Sequence, residues 1–190
     1  MTYSYWLAAC LGLLTACEPP QAPQAAPTPP APTAPAATLP KGAVRGDFDG
    51  DGTSEAVWLV TPPLDSANMD CVGPCVSTLI CSNPAWKPYT LTQSIGGELT
   101  VFHHLGEGPR DYLGILPAWF TSCWRSYYVL TYRSGGWQPG VTPFATHCNQ
   151  WEAGVVPIAR DPTHPGHVLV RSSDLADTTF MVETKSVPLH

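Results

Sequence analysis

The sequence predicts a mainly β protein, a compact antiparallel β domain carried on a disordered, proline-rich stalk. Three observations carry this expectation. Apolar residues recur in short runs rich in Val, Ile, Thr, Tyr and Phe, each bounded by Gly, Pro, Asn or Asp. No stretch shows sustained helical periodicity. Of the 22 prolines in 190 residues, nine fall between positions 18 and 40, a segment too poor in large apolar side chains to build a core.

The first element is the run "WLAACLGLL" (6–14), too short to span a bilayer as a mature helix. Leu14-Thr15-Ala16-Cys17 follows it. An apolar run ending in small residues before a cysteine resembles a bacterial lipoprotein signal. The resemblance implies that residues 1–16 are removed and that Cys17 is lipidated, with palmitate among its acyl chains. Leu7-Ala8-Ala9-Cys10 fits the same pattern without a useful apolar segment before it, and "MTYSYW" contributes no Lys or Arg. An ordinary secretory signal or a buried N-terminal helix is the competing reading. Glu18 stands where a retention signal for the inner membrane has aspartate, so the outer membrane, facing the periplasm, is the expected address.

Residues 17–41 then form a Pro/Ala-rich linker. As polyproline II at ~3.1 Å per residue, it reaches up to ~70 Å from a membrane. Residues 42–190 are long enough for one domain with its own core. The net charge of −6 rests on few ionised residues, 13% of the chain, and no basic patch occurs. Nucleic acid is therefore not an expected partner.

Within the domain, the expected strands are "GAVRGDF" (42–48), "EAVWLV" (55–60), "VSTLICS" (76–82) and "ELTVFHH" (98–104). They continue with "YLGIL" (112–116), "SYYVLTYR" (126–133), "GHVLVRS" (166–172) and "TTFMVET" (178–184). The stretch "SYYVLTYRSGGWQP" reads as a hairpin turning at Gly135-Gly136.

Five cysteines lie in this domain, and five taken as two pairs allow fifteen arrangements. Export favours disulfides. Cys123 and Cys148 sit in aromatic-rich stretches and are paired in our reading. Cys71 and Cys75 can close locally across Gly73-Pro74, which leaves Cys81 as a buried thiol. A zinc site made from these cysteines with His147 is the alternative, although the C-x3-C-x5-C spacing matches no standard knuckle.

The densest chemistry is "GDFDGDGTSEAV" (46–57). Numbered from Asp47, carboxylates stand at positions 1, 3, 5 and 9: Asp47, Asp49, Asp51 and Glu55. Gly52 lets the backbone curl, and the carbonyl of Thr53 supplies a further oxygen, a donor set suited to calcium. Position 12 is Trp58, not the bidentate glutamate of an EF-hand, and the flanks are short and β-branched. A plain surface turn would leave four carboxylates repelling one another. The residues Gly46, Asp47, Asp49, Asp51, Gly52 and Glu55, followed by apolar Val57 and Leu59, resemble the calcium loop of FG-GAP repeats (VCBS-type, integrin-α-like). The likeness covers under a tenth of the chain and implies a structural calcium ion in a propeller-like, four-stranded unit. Arg45-Gly46-Asp47 spells an adhesion tripeptide, read as incidental because Asp47 is committed to the loop.

The stretch 56 residues on, where Glu107, Gly108 and Asp111 align with Asp51, Gly52 and Glu55, reads as a degenerate second copy, with chance similarity over so short a match as the alternative. His103 and Leu105 replace the first two aspartates, so this copy is expected to keep the turn and lose the ion. The run from 114 to 158 also resembles the C-terminal half of bacterial proteins of unassigned activity that pair such a loop with a cysteine–tryptophan segment. That likeness implies the same Cys123–Cys148 pairing.

Trp119, Phe120, Trp124, Tyr127 and Tyr128 form a candidate binding patch, with strand alternation expected to send part of the set into the core. No G-x-S-x-G, H-E-x-x-H or phosphate-loop motif occurs. Adjacent His103 and His104 would point to opposite faces of a strand, and "HPGH" (164–167) reads as a solvated turn. The expectation is an exported, lipid-anchored envelope protein whose calcium-stabilised domain is a structural or binding module, not an enzyme, with an envelope protein or a glycan as partner. The alternative is a hydrolase whose cleft joins a histidine to Asp111, Glu152 or Asp161.

Overall fold

A computed structural model describes residues 38–152, 155–174, 176 and 179–190. The expected signal sequence, Cys10, Cys17 and the linker up to residue 37 lie outside the described residues. The described chain is mainly β, every strand pairing is antiparallel, and no sheet closes on itself.

The first sheet orders its strands β1 (Val44–Gly46), β2 (Glu55–Val60), β5 (Val76–Cys81) and β6 (Tyr89–Thr92). Between β2 and β5 the chain inserts a small two-stranded ribbon, β3 (Leu64–Asp65) with β4 (Asp70–Cys71). The second sheet runs β7 (Gly97–Phe102), β8 (Tyr112–Pro117), β9 (Arg125–Arg133) and β10 (Gly136–Pro139), with β11 (Phe144–Thr146) paired to the start of β9. After a short helix, α1 (Cys148–Glu152), the third sheet is β12 (Ile158–Arg160), β13 (His167–Ser173) and β14 (Val182–Pro188).

The second sheet is central because both of its faces are covered. Along β9, Tyr128, Leu130 and Tyr132 pack toward the first sheet with Phe48, Val57, Leu79 and Trp137. Tyr127 and Val129 pack the other way, with Ile158, Val168 and Val170 of the third sheet. The period-two alternation of a strand therefore feeds two cores from one segment. β8 reads as a continuous apolar run for the same reason: Leu113 and Ile115 enter the first core, Tyr112 and Leu116 the second.

The hairpin at the end of β9 turns one residue earlier than its sequence suggests. Arg133 pairs with Gly136, so Ser134 and Gly135 are the turn residues, with φ of 54° and 75°. Positive φ at both central positions is the geometry whose twist matches the flanking strands. Two strand expectations need correction. β7 ends at Phe102, so His103 and His104 lie exposed in the following turn, not on opposite faces of a strand. β14 begins at Val182 rather than at residue 178, and it runs on to Pro188.

Candidate functional site

The loop 47–54 joins β1 to β2 and is held from beneath by Phe48. That ring is fully buried in the first core, 5.5 Å from Trp137. Its carbonyl accepts the N–H of Tyr132 at 3.0 Å and the hydroxyl of Thr131 at 2.9 Å. Arg110 adds an outer clamp, its guanidinium donating to the Asp49 carbonyl at 2.8 Å. Inside the loop, Asp47 Oδ1 accepts the N–H groups of Gly50 and Asp51, and Oδ2 accepts that of Gly52. Gly50 and Gly52 hold φ of 79° and 88°, a conformation in which a side chain would be strained.

Carboxylate oxygens of Asp47, Asp49 and Glu55 lie within 4.8 Å of one another. Glu55, the first residue of β2, is buried, and its Oε2 has no hydrogen-bond partner. Burial, followed by the negative charges of Asp49 and Asp51, pushes its carboxyl above the ordinary value. A buried acceptor facing two other carboxylates is costly alone and is satisfied by a hard cation, so the residues present fit calcium. Asp51 and Thr53 are both exposed and stand outside that convergent trio; Asp51 Oδ1 accepts the Thr53 N–H at 2.7 Å.

The loop 103–111, which joins β7 to β8, touches the acidic loop. Asp111 Oδ2 accepts the Asp47 N–H at 2.9 Å, while Asp111 Oδ1 is 2.9 Å from His103 Nδ1. Sequence reasoning placed Asp111 as an echo of Glu55 and missed this contact, for which no local signal exists.

Cysteine geometry agrees with the expected pairs. Cys71 and Cys75 are at disulfide distance with Cα atoms 5.3 Å apart, as are Cys123 and Cys148 at 4.8 Å. Cys81 is a half-buried free thiol at the end of β5, its pKa raised chiefly by burial. The clusters Cys123–His147–Cys148 and Asp70–Cys71–Cys75 therefore offer bonded sulfurs, not thiolates, to a metal. His147 is buried, its ring stacked on that of Phe180 at 4.3 Å and tilted against that of Trp124 at 4.8 Å.

The aromatic patch divides. Tyr127 is buried in the second core, where its ring stacks on Trp151 and burial raises its pKa. Trp119, Trp124 and Tyr128 are half-buried and line a cleft of about 290 Å³. Phe120, also half-buried, meets the Trp119 ring edge-on at 5.4 Å. Gln93 and Arg125 complete the cleft and were missed in the sequence because they come from separate elements.

Two histidine–carboxylate pairs form outside the ion loop, His103–Asp111 and His164–Asp161, the latter at 3.0 Å. Both carboxylates are spent on holding turns. Asp161 Oδ1 accepts the N–H and hydroxyl of Thr163, and Oδ2 accepts the Ser186 hydroxyl. Neither pair lines the aromatic cleft. The side chain of Glu152 lies outside the described ones. His164 is exposed and His167 half-buried.

Fold and site together define a mainly antiparallel β protein with a pre-shaped acidic loop and an aromatic cleft. No family model, curated protein or solved structure gives a significant match to this chain.

Proposed function

We propose that this chain is an exported, lipid-anchored protein of the cell envelope whose β domain binds a structural calcium ion and acts as a structural or binding module. The observation that carries the ion is Glu55 Oε2, buried and unpartnered beside Asp47 and Asp49. Asp47, Asp49 and Glu55 would supply the inner oxygens. Asp51 and the Thr53 carbonyl would close the rim, with water making up the six to eight ligands calcium takes. A cation held in this way neutralises the converging carboxylates and stabilises the loop.

Support for propeller-like, FG-GAP-type units comes from topology. β1-β2-β5-β6 and β7-β8-β9-β10 are successive four-stranded meanders, each with an acidic loop in its first hairpin. A lipidated Cys17 and the proline-rich linker would hold this domain away from the outer membrane on the periplasmic side, within reach of a glycan or envelope-protein partner. Isothermal titration with calcium tests the ion reading. The wild-type chain should bind one equivalent, Glu55→Gln should bind at least about tenfold more weakly, and absence of saturable heat from the folded wild type would overturn it.

A further inference from the structure

We propose that the cleft beside β9 binds a short saccharide bearing a carboxylate, an inference that rests on reading the β domain as a binding module. Its walls are Trp119, Trp124 and Tyr128, interleaved with Gln93, Ser122 and Arg125. Aromatic faces accept the C–H faces of sugar rings, and the amide, hydroxyl and guanidinium groups match ring hydroxyls. An acyl chain would strip water from those polar groups and return no hydrogen bonds. Pro117 and Ala118 are the aliphatic residues among the lining, so a peptide finds little to anchor an apolar side chain.

Arg125 selects the charge. Among the described residues its guanidinium has no ion-pair or hydrogen-bond partner, and no carboxylate lines the cleft. This unpaired cation stands in a chain of net charge −6, and its planar fork matches a carboxylate in bidentate fashion. The volume sits at the small end for ligand pockets, which suits about one or two sugar rings.

The cleft is formed before any ligand arrives. Ser122 Oγ accepts the backbone N–H of Trp124 at 3.1 Å and donates to its carbonyl at 3.0 Å, fixing the backbone that carries the indole. Cys123 ties the same loop to Cys148. On the opposite wall the N–H of Ile95 donates to Ala118, and that of Ala118 to Gly96. Gln93 holds a left-handed φ of 52° in the bend between β6 and β7, which places it on the cleft wall. Rigid walls lower the ordering cost of binding.

The test is intrinsic tryptophan fluorescence and calorimetry on the full chain, with digalacturonate, neutral digalactose and hexaglutamate as probes. Digalacturonate should saturate with a Kd of about 1 mM or tighter. Arg125→Gln should weaken it about tenfold and leave digalactose binding unchanged. Trp119→Ala should lose both sugars while its circular-dichroism melt shows a folded protein. Equal binding of the two sugars, insensitive to Arg125→Gln, would overturn the acidic specificity and leave the binding-module reading standing. Saturation by hexaglutamate alone would overturn the saccharide in favour of a protein partner. Silence from both sugars at about 10 mM would overturn the saccharide proposal, while the binding-module reading is tested separately by crosslinking capture from envelopes.

Discussion

The Asp47 N–H donates to Asp111 Oδ2 at 2.9 Å, and the Asp111 N–H donates to the Asp47 carbonyl at 2.7 Å. This reciprocal clasp joins the first residue of the acidic loop to the last residue of the β7–β8 loop, across 64 positions of sequence. Asp47 is also the residue whose carboxylate gathers the N–H groups of Gly50, Asp51 and Gly52. The loop's shape therefore depends on a contact from the neighbouring sheet.

Asp111→Ala removes an almost fully buried carboxylate and orphans the Asp47 N–H. The expected loss is about 1–3 kcal/mol in urea denaturation, with Asp111→Asn losing less because an amide oxygen still accepts that hydrogen. An alanine variant as stable as wild type would show that the clasp contributes nothing.

Gly114 on β8 has no room for a side chain. A Cβ there would meet the hydroxyl of Tyr127 and the ring of Phe102. Gly114→Ala should cost about 1–3 kcal/mol through overpacking, and adding Tyr127→Phe should return part of that loss. Strict additivity of the two changes would place the strain elsewhere.

The two cysteine pairs close loops of different length, 25 and 4 residues apart in sequence. On chain entropy alone, replacing Cys123 and Cys148 by serine should cost about 3.5 kcal/mol, and replacing Cys71 and Cys75 about 2 kcal/mol. Chemical denaturation of the two double variants measures the order, and a reversed order would contradict it.

Asp161 sets the acid limit. The Ser186 hydroxyl, then the hydroxyl and N–H of Thr163, hold its carboxyl well below the usual carboxylate range. The unfolded chain takes up this proton first, near pH 4, so the contribution is complete above about pH 4. It is lost as pH falls through the lower folded value. Stability measured against pH should therefore fall less steeply in acid for Asp161→Asn than for wild type; parallel curves would contradict the assignment.

Much of this was legible from sequence where the signal is local. The run 126–133 announced a strand whose alternation would send part of its aromatic set inward; that both faces are covered depends on the third sheet and was not legible locally. Pairing of Cys123 with Cys148 followed from the aromatic company each keeps. The two-residue strands β3 and β4 escaped because they are too short to show a period. The five-residue α1 escaped for the same reason, its start tied to the Cys148 bond. Asp111 and Arg125 were visible only as residues: one acts through a backbone group 64 positions away, the other through a cleft assembled from several elements.

Thermal unfolding with calcium or with EGTA tests the central claim, that Asp47, Asp49 and Glu55 hold a structural ion. At ~1 mM calcium and a Kd of ~10⁻⁴ M the ion adds about 1.4 kcal/mol. That raises the midpoint of a domain this size by about 3–6 °C. The account predicts this shift for wild type and its loss in Asp49→Ala. No shift in wild type, or an equal shift in Asp49→Ala, would contradict it.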